Sequence, residues 1–350
     1  MKLRKIHSLP LDKFINFSLY NKRFGYYMKK NPFGKEGDFI TAPNISRLFS
    51  EMIAIWILSF WQSLGSPKKF NLVELGAGNG EMMKVFIESL KNFPDCFNAC
   101  DLIIHEKSPL LIKIQKKKLI HNKIKWISKI DKLKKIPSIF IANEFFDALA
   151  IKQFRKKNGL WFEKFVNFYN VNEAFFFEKK INIKKFEKKI HFQISNNQSF
   201  IEYSELGFDY LRNITKIIKK NTGGLLLIDY GYNEKKMKNT LQALSNHKFA
   251  NILENIGNVD ITHNINFNLF ERFTKHLGGL KSNLTTQKEF LLKMGIKQRA
   301  EIISKNQSFS KKTDIYFRLK RLIDEKHMGN LFKFMLIKNQ NNKFKLGFKN

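Results

Sequence analysis

The stretch of sequence that decides the fold is Asn71-Leu72-Val73-Glu74-Leu75-Gly76-Ala77-Gly78-Asn79-Gly80. An apolar run that ends in three alternate glycines and leads into Glu81-Met82-Met83-Lys84-Val85-Phe86 predicts a strand, a tight turn and a helix start. Glycine permits positive φ and close approach of a ligand, and the first turn of a helix presents unpaired N–H groups. The stretch therefore predicts a pocket of the nucleotide-binding type, with Gly76, Gly78 and Gly80 in its wall.

The spacing of the glycines distinguishes between cofactors. A dinucleotide turn has Gly-x-Gly-x-x-Gly, with its third glycine three residues after the second, and position 81 is Glu here. The shorter turn, with Glu74 two residues before the first glycine, resembles motif I of class I S-adenosylmethionine methyltransferases. Taken alone, this stretch leaves an NAD enzyme and a chance glycine turn open as alternatives.

Length and composition limit the other possibilities. A chain of 350 residues that is 43% hydrophobic can bury a sizeable core and has room for additions to one domain. The net charge of +33 suggests nucleic acid as a partner, but only nine of the 63 basic residues are Arg, which pairs best with phosphate and bases. Phe, Ile, Asn and Lys are abundant together, as in AT-rich coding sequences. Compositional drift therefore explains the charge better than nucleic-acid binding does.

The cysteines and the N-terminus indicate the compartment. Cys96 and Cys100 have no second pair and no histidine cluster nearby, so we predict free thiols and no metal site. The N-terminus has no continuous apolar signal region, and no stretch has the length of apolar sequence that a membrane span needs. We predict a soluble, cytoplasmic protein.

Strands and helices alternate after the glycine turn. Apolar runs predict strands at 102–106, 124–127, 138–143 and 224–230, and Ser108 and Pro109 predict the start of a helix over 109–120. Leu110, Ile114 and Leu119 are predicted to lie roughly on one side of that helix. This alternation predicts an α/β fold with a Rossmann-like, mostly parallel sheet, whose ligands bind at the carboxyl ends of the strands.

Segments outside the alternation divide the chain further. We predict an N-terminal helical cap with a lid loop (1–65), the first part of a methyltransferase core (66–153), a hairpin-like insertion (154–205), a core continuation (206–239), a mostly helical acceptor-side insertion (240–325), and a final core strand with a tail (326–350).

Several short segments together resemble one family, the MidA-type methyltransferases. They include Phe24-Gly25-Tyr26-Tyr27, Gly37-Asp38-Phe39-Ile40-Thr41-Ala42-Pro43, the glycine turn, Ile141-Ala142-Asn143-Glu144-Phe145-Phe146-Asp147, Leu227-Ile228-Asp229-Tyr230-Gly231 and Met328-Gly329-Asn330-Leu331-Phe332. They occur in the family's order along most of the chain. The resemblance implies a class I methyltransferase core that uses S-adenosylmethionine and releases S-adenosylhomocysteine.

Acidic residues complete the predicted donor site. Glu106, at the end of the second strand, is placed to accept hydrogen bonds from the two ribose hydroxyls of the donor, although a solvated strand-end acid is the alternative. Glu74 is predicted to hold either the turn or the amino end of the donor. The resemblance adds Asn143 to the donor-binding residues.

The predicted acceptor site follows the fourth strand. By its resemblance to arginine methyltransferases, Glu144 takes the place of their first substrate-clamping glutamate, whereas Gln153 stands where the second is found. Two carboxylates suit a guanidinium, which is always charged and binds them bidentately. We predict that Asp147 supplies the second, with a helix cap as the alternative. Asp38 is predicted to lie in the lid over the donor, with a simple turn as the alternative.

The resemblance implies a function as well as a site. The family's mitochondrial members are complex I assembly factors that methylate an arginine, so we predict a protein arginine ω-N-methyltransferase acting on a subunit of NADH-quinone oxidoreductase. Two alternatives remain open: a methyltransferase of RNA or small molecules, which the basic charge favours, and an assembly chaperone that has lost catalysis. The complete set of glycines and glutamates argues against the chaperone.

Overall fold

A computed structural model describes residues 7–29, 41–121, 123–170, 173–245 and 248–349. Its strands are β1 His7–Pro10, β2 Phe70–Leu75, β3 Cys100–His105, β4 Ile124–Ile127, β5 Ser138–Asn143, β6 Lys152–Lys157, β7 Leu160–Asn170, β8 Glu173–Ile181, β9 Phe200–Tyr203, β10 Gly223–Tyr232, β11 Gln242–Ser245, β12 Lys248–Ala250, β13 Asp260–Thr262, β14 Ile265–Asn266, β15 Leu280–Thr286 and β16 Phe332–Asn339. Its helices are α1 Leu11–Tyr20, α2 Tyr26–Lys29, α3 Ala42–Ile45, α4 Arg47–Ser63, α5 Glu81–Leu90, α6 Pro94–Ala99, α7 Pro109–Lys118, α8 Ile183–Ile190, α9 Glu205–Asn221, α10 Phe267–Leu277, α11 Gln287–Lys293, α12 Ile296–Ser304, α13 Phe309–Ile323 and α14 Met328–Leu331.

A central sheet organises the molecule. Its strands follow the order β15-β16-β10-β5-β2-β3-β4, and β14 pairs in parallel with the last two residues of β10. The strands β4, β3, β2, β5 and β10 are parallel, and β16 runs antiparallel to both of its neighbours. Strands β2 and β5 are buried along their whole length, as expected where both faces of a sheet are covered. The predicted α/β class with a Rossmann-like, mostly parallel sheet is confirmed.

Alternate residues of each strand enter two different cores. Leu72 of β2 packs with Trp56 of α4, Phe86 of α5 and Phe290 of α11 on one face of the sheet. Val73 of the same strand belongs to the core on the other face, which is filled by α9 and α10. Because both faces are covered, the carboxyl ends of the strands are left as the place where a ligand can reach the sheet.

The N-terminal segment differs from the helical cap that we predicted. Strand β1 pairs antiparallel with β7, so the start of the described chain joins the sheet β1-β7-β6-β9, on which β8 also pairs with β7. Phe14 of α1 and Tyr26 of α2 share a core with Val166 of β7 and Ile261 of β13. The cap is therefore anchored on the segment that follows β5. Part of the predicted lid loop, at 30–40, lies outside the described residues.

The segment 240–325 is less helical than we predicted. Strands β11, β12 and β13 form a small sheet, and β15 belongs to the edge of the central sheet. Residues 281–284 of β15 are exposed or half-buried, so the sequence lacks the apolar run by which the central strands were recognised. The boundaries of the six predicted segments stay a prediction.

One strand of the central sheet is formed by residues late in the sequence. The late apolar run forms β16 as predicted, but this strand lies inside the sheet, between β10 and β15.

Among the described residues, no helix combines the length and the apolar character that crossing a bilayer requires.

Candidate functional site

The glycine turn after β2 has the backbone that the sequence predicted. Gly76, Gly78 and Gly80 have φ of 66°, 53° and 79°, values in the left-handed region that side chains disfavour. A Cβ on Gly76 would lie 2.9 Å from the ring of Phe145, so the absence of a side chain there is also a packing requirement. Gly80 caps the N-terminus of α5. At its glycines the turn therefore presents backbone alone to the end of the sheet.

Two cavities meet at this turn, and Gly76, Gly78 and Glu144 line both. The first, of about 550 Å³, we call the Glu106 cavity; its wall includes Tyr20, Tyr27, Glu106, Phe145 and Tyr210. The second, of about 380 Å³, we call the Glu74 cavity; its wall includes Thr41, Asn44, Glu74 and Asn143. The structure thus brings Glu74, Gly76, Gly78, Glu106, Asn143 and Glu144 together. A long ligand could occupy both cavities and cross the glycine turn between them.

Glu106 is held firmly at the end of β3. Its Oε1 accepts the backbone N–H groups of Lys107 (2.8 Å) and Ser108 (3.0 Å), and its Oε2 accepts the side-chain amide of Gln115 (3.2 Å). Burial raises the pKa of Glu106, and these donors offset part of that shift because they stabilise the carboxylate. The solvated strand-end acid that we considered is ruled out by its 9% exposure.

The Glu74 cavity contains acceptors without partners. Glu74 is 2% exposed, and among the described residues its Oε2 has no hydrogen-bond donor. Burial, and then the charge of Glu106, raise the pKa of Glu74 to about 8. The Oδ1 of Asn143 is likewise buried and lacks a donor within the described chain. Unmatched buried acceptors are costly, so this cavity is suited to a ligand that carries N–H donors.

Glu144 occupies a strained position at the end of β5. Its φ is 47°, in the left-handed region that a glutamate rarely adopts, and its N–H donates to the carbonyl of Ile228 at 2.9 Å. The pKa of Glu144 is raised to about 8, first by burial and then by the charge of Asp147. Backbone strain of this kind is typical of functional positions, and here it holds a carboxyl group between the two cavities.

Asp147 lies behind Glu144 and is not part of the wall of either cavity. Its Oδ2 accepts the hydroxyl of Tyr230 at 2.6 Å, its N–H donates to Asp229 at 3.2 Å, and its Oδ1 is buried without a partner in the described chain. Burial raises the pKa of both aspartates. The predicted role of Asp147 in holding the acceptor stays a prediction.

Some buried acids elsewhere in the molecule form ion pairs with basic side chains, unlike the acids at and behind Glu144. Lys152 forms ion pairs of 2.9 Å with Asp12 and 2.8 Å with Glu163. In contrast, Glu144, Asp147 and Asp229 form no ion pair within the described ranges. A cationic group could therefore bind beside Glu144, which lines both cavities, without breaking an ion pair of this residue.

Gly80, like Asp147, is a predicted site residue that does not line either cavity. A Cβ on Gly80 would approach Leu119 at 3.2 Å; its role is to begin α5. Asp38 lies outside the described residues, and so does most of its loop. Gln153 does not reach the cavities either, because its side-chain amide donates to Glu202 and Asn239, both at 2.7 Å.

Sequence reasoning missed several residues of the site. The fully buried residues of α7 are Leu111 and Gln115, which we did not single out, whereas Leu110 and Ile114 are half-buried. The signal in the sequence for Gln115 is its spacing: it follows Leu111 by four residues, so the two side chains lie on the same side of the helix. Asn79 donates to Asn44 at 3.0 Å and ties the glycine turn to the N-terminal segment. Contacts between such distant segments leave no local pattern in a sequence.

A histidine at the end of β3 stabilises the wall of the Glu106 cavity. The carbonyl of Ile127 lies 3.2 Å from Nδ1 of His105, which must therefore carry the proton, and Nε2 then accepts the hydroxyl of Tyr210 at 2.8 Å. Burial lowers the pKa of His105 to about 4, so the ring is neutral at physiological pH. The hydrogen bond to His105 holds the hydroxyl of Tyr210, whose ring packs edge to face on Phe145.

A glycine turn after the first central strand, an acid after the second and an acid after the fourth define a class I methyltransferase. A family model described as "Putative S-adenosyl-L-methionine-dependent methyltransferase" matches residues 52–286. The chain belongs to this family.

Curated relatives extend the comparison over the whole chain. A protein from Caenorhabditis elegans, named protein arginine methyltransferase NDUFAF7 homolog, mitochondrial, is 31% identical over 326 residues, which cover 85% of this chain and 75% of the relative. The Homo sapiens protein arginine methyltransferase NDUFAF7, mitochondrial, is 26% identical over 366 residues, covering 96% and 81%. The predicted resemblance to the MidA-type family is confirmed.

A solved structure shares the fold. It is that of a Burkholderia thailandensis protein bound to S-adenosyl-homocysteine, with a TM-score of 0.80 at 20% identity, covering 97% of this chain and 90% of the other. At this level of identity the likeness shows the fold alone.

Proposed function

We propose that this methyltransferase transfers a methyl group from S-adenosylmethionine to an arginine of a protein. The observation that carries the proposal is the group of buried carboxyls around Glu144, which form no ion pair within the described ranges. A guanidinium is always charged and can bind two carboxylates bidentately, so it would satisfy what the site lacks. The names of the relatives support the same acceptor.

The donor fits the two cavities that meet at Gly76 and Gly78. Glu106 would accept a ribose hydroxyl at Oε2, and Glu74 with Asn143 would accept the N–H groups of the amino end, which supplies the donors that their unpaired oxygens lack. When bound, S-adenosylmethionine supplies a methyl carbon activated by a sulfonium. The Tyr20, Tyr27, Phe145 and Tyr210 side chains of the Glu106 cavity would exclude water from the reacting atoms.

The chain's own residues act on the acceptor by orientation. Glu144 would hold one edge of the guanidinium where the two cavities meet, and Asp147 would attract the remaining charge from behind it. In the absence of a cation, burial keeps the pKa of Glu144 near 8, and a guanidinium beside it would favour the carboxylate. The binding of the acceptor thus releases a proton from the site at neutral pH.

For the protein acceptor we propose a large subunit of NADH-quinone oxidoreductase, methylated in the cytoplasm in support of complex assembly. This part of the proposal rests on the resemblance to the mitochondrial complex I assembly factors. The curated relatives themselves are named as mitochondrial proteins.

The test is methylation of that purified subunit with methyl-labelled S-adenosylmethionine, followed by mass spectrometry of the modified residue. We expect methylarginine from the wild type and a loss of about 100-fold in Glu144→Gln, because one of two charge-assisted contacts is removed. Glu301→Gln, on an exposed turn of α12, is the matched control and should behave like the wild type. Label on another residue type would contradict the arginine assignment.

A basic groove makes RNA the alternative acceptor. Lys129, Lys134, Lys135, Lys216 and Lys220 line a cavity of about 1370 Å³ that meets the Glu106 cavity at His105 and Tyr210. Methylation of RNA that weakens steeply with salt, together with an unmodified protein subunit, would favour this alternative.

A further inference from the structure

We infer that Gln115 is a positioning residue for the donor, which fixes the carboxylate of Glu106 relative to the central glycine of the turn. The inference rests on the proposed function, because it assumes that the Glu106 cavity takes the ribose. Gln115 itself would not touch the donor; it acts through Glu106 and Gly78.

Three hydrogen bonds determine the orientation of the Gln115 amide. Its Nε2 donates to the carbonyl of Gly78 at 2.9 Å and to Oε2 of Glu106 at 3.2 Å. Its Oε1 accepts the indole N–H of Trp126 at 2.9 Å. An indole can only donate, and a carbonyl and a carboxylate oxygen can only accept here, so the amide has one permitted orientation. Both of its protons are used.

Both carboxylate oxygens of Glu106 therefore accept hydrogen bonds from the protein. The start of α7 holds Oε1 through the N–H groups of Lys107 and Ser108, and Gln115 holds Oε2. Each carboxylate oxygen has two acceptor positions, so Oε2 can still accept from a ligand. The plane of the group is therefore fixed before a ligand arrives, which reduces the ordering cost of binding.

The contact with Gly78 adds a second function to the same amide. Gly78 lies in the wall of both cavities, and its carbonyl would otherwise be free to rotate with the turn. By bonding to this carbonyl and to Glu106, one side chain sets the spacing between the predicted ribose acceptor and the backbone of the turn. Gln115 is fully buried, and an apolar side chain of similar size would fill its space without providing these contacts.

The experiment is calorimetric titration with S-adenosylhomocysteine of the full-length wild type, Gln115→Met, Glu106→Gln and the double variant. We expect each single change to weaken binding about 10- to 100-fold, as for hydrogen bonds to a charged group. Because Gln115 acts through Glu106, the double variant should lose little more than the weaker-binding single variant.

Gln287→Met is the matched control. Gln287 is also fully buried and its amide also donates to a backbone carbonyl, that of Leu322 at 2.9 Å, but it lies on α11. This change should lower the thermal stability of the ligand-free protein and leave the affinity for S-adenosylhomocysteine unchanged. Should Gln115→Met fail to fold, Trp126→Phe removes only the indole donor from the amide and should weaken binding about 3-fold.

The outcomes separate this inference from the proposed function. Wild-type affinity in Gln115→Met would overturn the positioning role, and additive losses in the double variant would overturn its action through Glu106; both would leave the donor site intact. A wild type that does not bind S-adenosylhomocysteine would overturn the proposed function, and with it the premise of this inference.

Discussion

At the scale of single residues, the site depends on backbone positions that most side chains avoid. Gly76, Gly78 and Gly80 supply positive φ at the end of β2, and Glu144 adopts it at the end of β5 despite its side chain. The glycines were predictable, because their spacing expresses the backbone requirement directly in the sequence. The strain at Glu144 was not, because nothing local distinguishes this glutamate from one in an ordinary turn; it follows from the N–H contact with Ile228 on a neighbouring strand.

The substitution Gly76→Ala tests whether this backbone controls donor binding. The new Cβ would meet the Phe145 ring at 2.9 Å in addition to the strain of a positive φ, so we expect an affinity for S-adenosylhomocysteine lowered by at least about 10-fold. Gly159→Ala is the control, since Gly159 has φ of 79° and a Cβ there would meet nothing within 4 Å. It should cost about 1 kcal/mol of stability and leave the affinity unchanged. Equal affinities of the two variants for this ligand would contradict the assigned role of Gly76.

At the scale of elements, the strands and helices that surround the cavities could be recognised because each is long and apolar on a regular period. Strands β2, β3, β5 and β10 and helix α7 occur where they were predicted. Strand β15 was not recognised, because it is an edge strand with a polar exposed side. The burial of Gln115 on α7 was not predicted, because a polar residue is buried only when distant partners satisfy it.

Helix α7 is also the element that joins the site to the N-terminal segment. The hydroxyl of Ser108 accepts the N–H of Leu111 at 3.2 Å as the helix N-cap and donates to the carbonyl of Tyr27 at 2.6 Å. Tyr27 in turn lines the Glu106 cavity. One side chain therefore supports both the start of the helix and a wall of the cavity.

Ser108→Ala should remove both contacts. We expect a loss of about 1 to 2 kcal/mol in the free energy of unfolding, measured in urea, and a weaker affinity for S-adenosylhomocysteine. Ser308→Ala is the comparison, because Ser308 caps α13 through the N–H of Lys311 at a solvent-exposed position. It should reduce stability by less and not alter binding. If Ser108→Ala bound the ligand as tightly as the wild type, the contact with Tyr27 would be structural only.

At the scale of the whole molecule, the buried carboxyl groups of the site lower the free energy of unfolding as the pH rises. Glu74 and Glu144 are buried with pKa values raised to about 8, compared with an ordinary value of 4.5. Between pH 4.5 and 8 the folded protein therefore retains protons that the unfolded chain has released. Raising the pH through this range favours unfolding, which is the reverse of the usual behaviour of a salt-bridged acid.

The stability of the ligand-free protein should reveal this pH dependence. We expect the free energy of unfolding of the wild type, relative to that of Glu74→Gln, to fall as pH rises from 5 to 8, by at most about 1.4 kcal/mol per pH unit. Taking the difference removes the contribution of the other titrating groups. A difference that is constant across this pH range would mean that Glu74 is ionised in the folded protein.

The position of β16 determines when the sheet can be completed. Formed by residues 332–339, it is the neighbour of both β10 and β15, and among the described strands β15 pairs with no other. On the ribosome, a nascent chain can bring together β2, β3, β4, β5 and β10, and with them the glycine turn, before β16 has been synthesised. Strand β15 lacks its described strand partner until residues 332–339 have emerged. A premature stop codon ahead of β16 would thus yield a polypeptide with its glycine turn encoded in full and one side of its sheet open to aggregation.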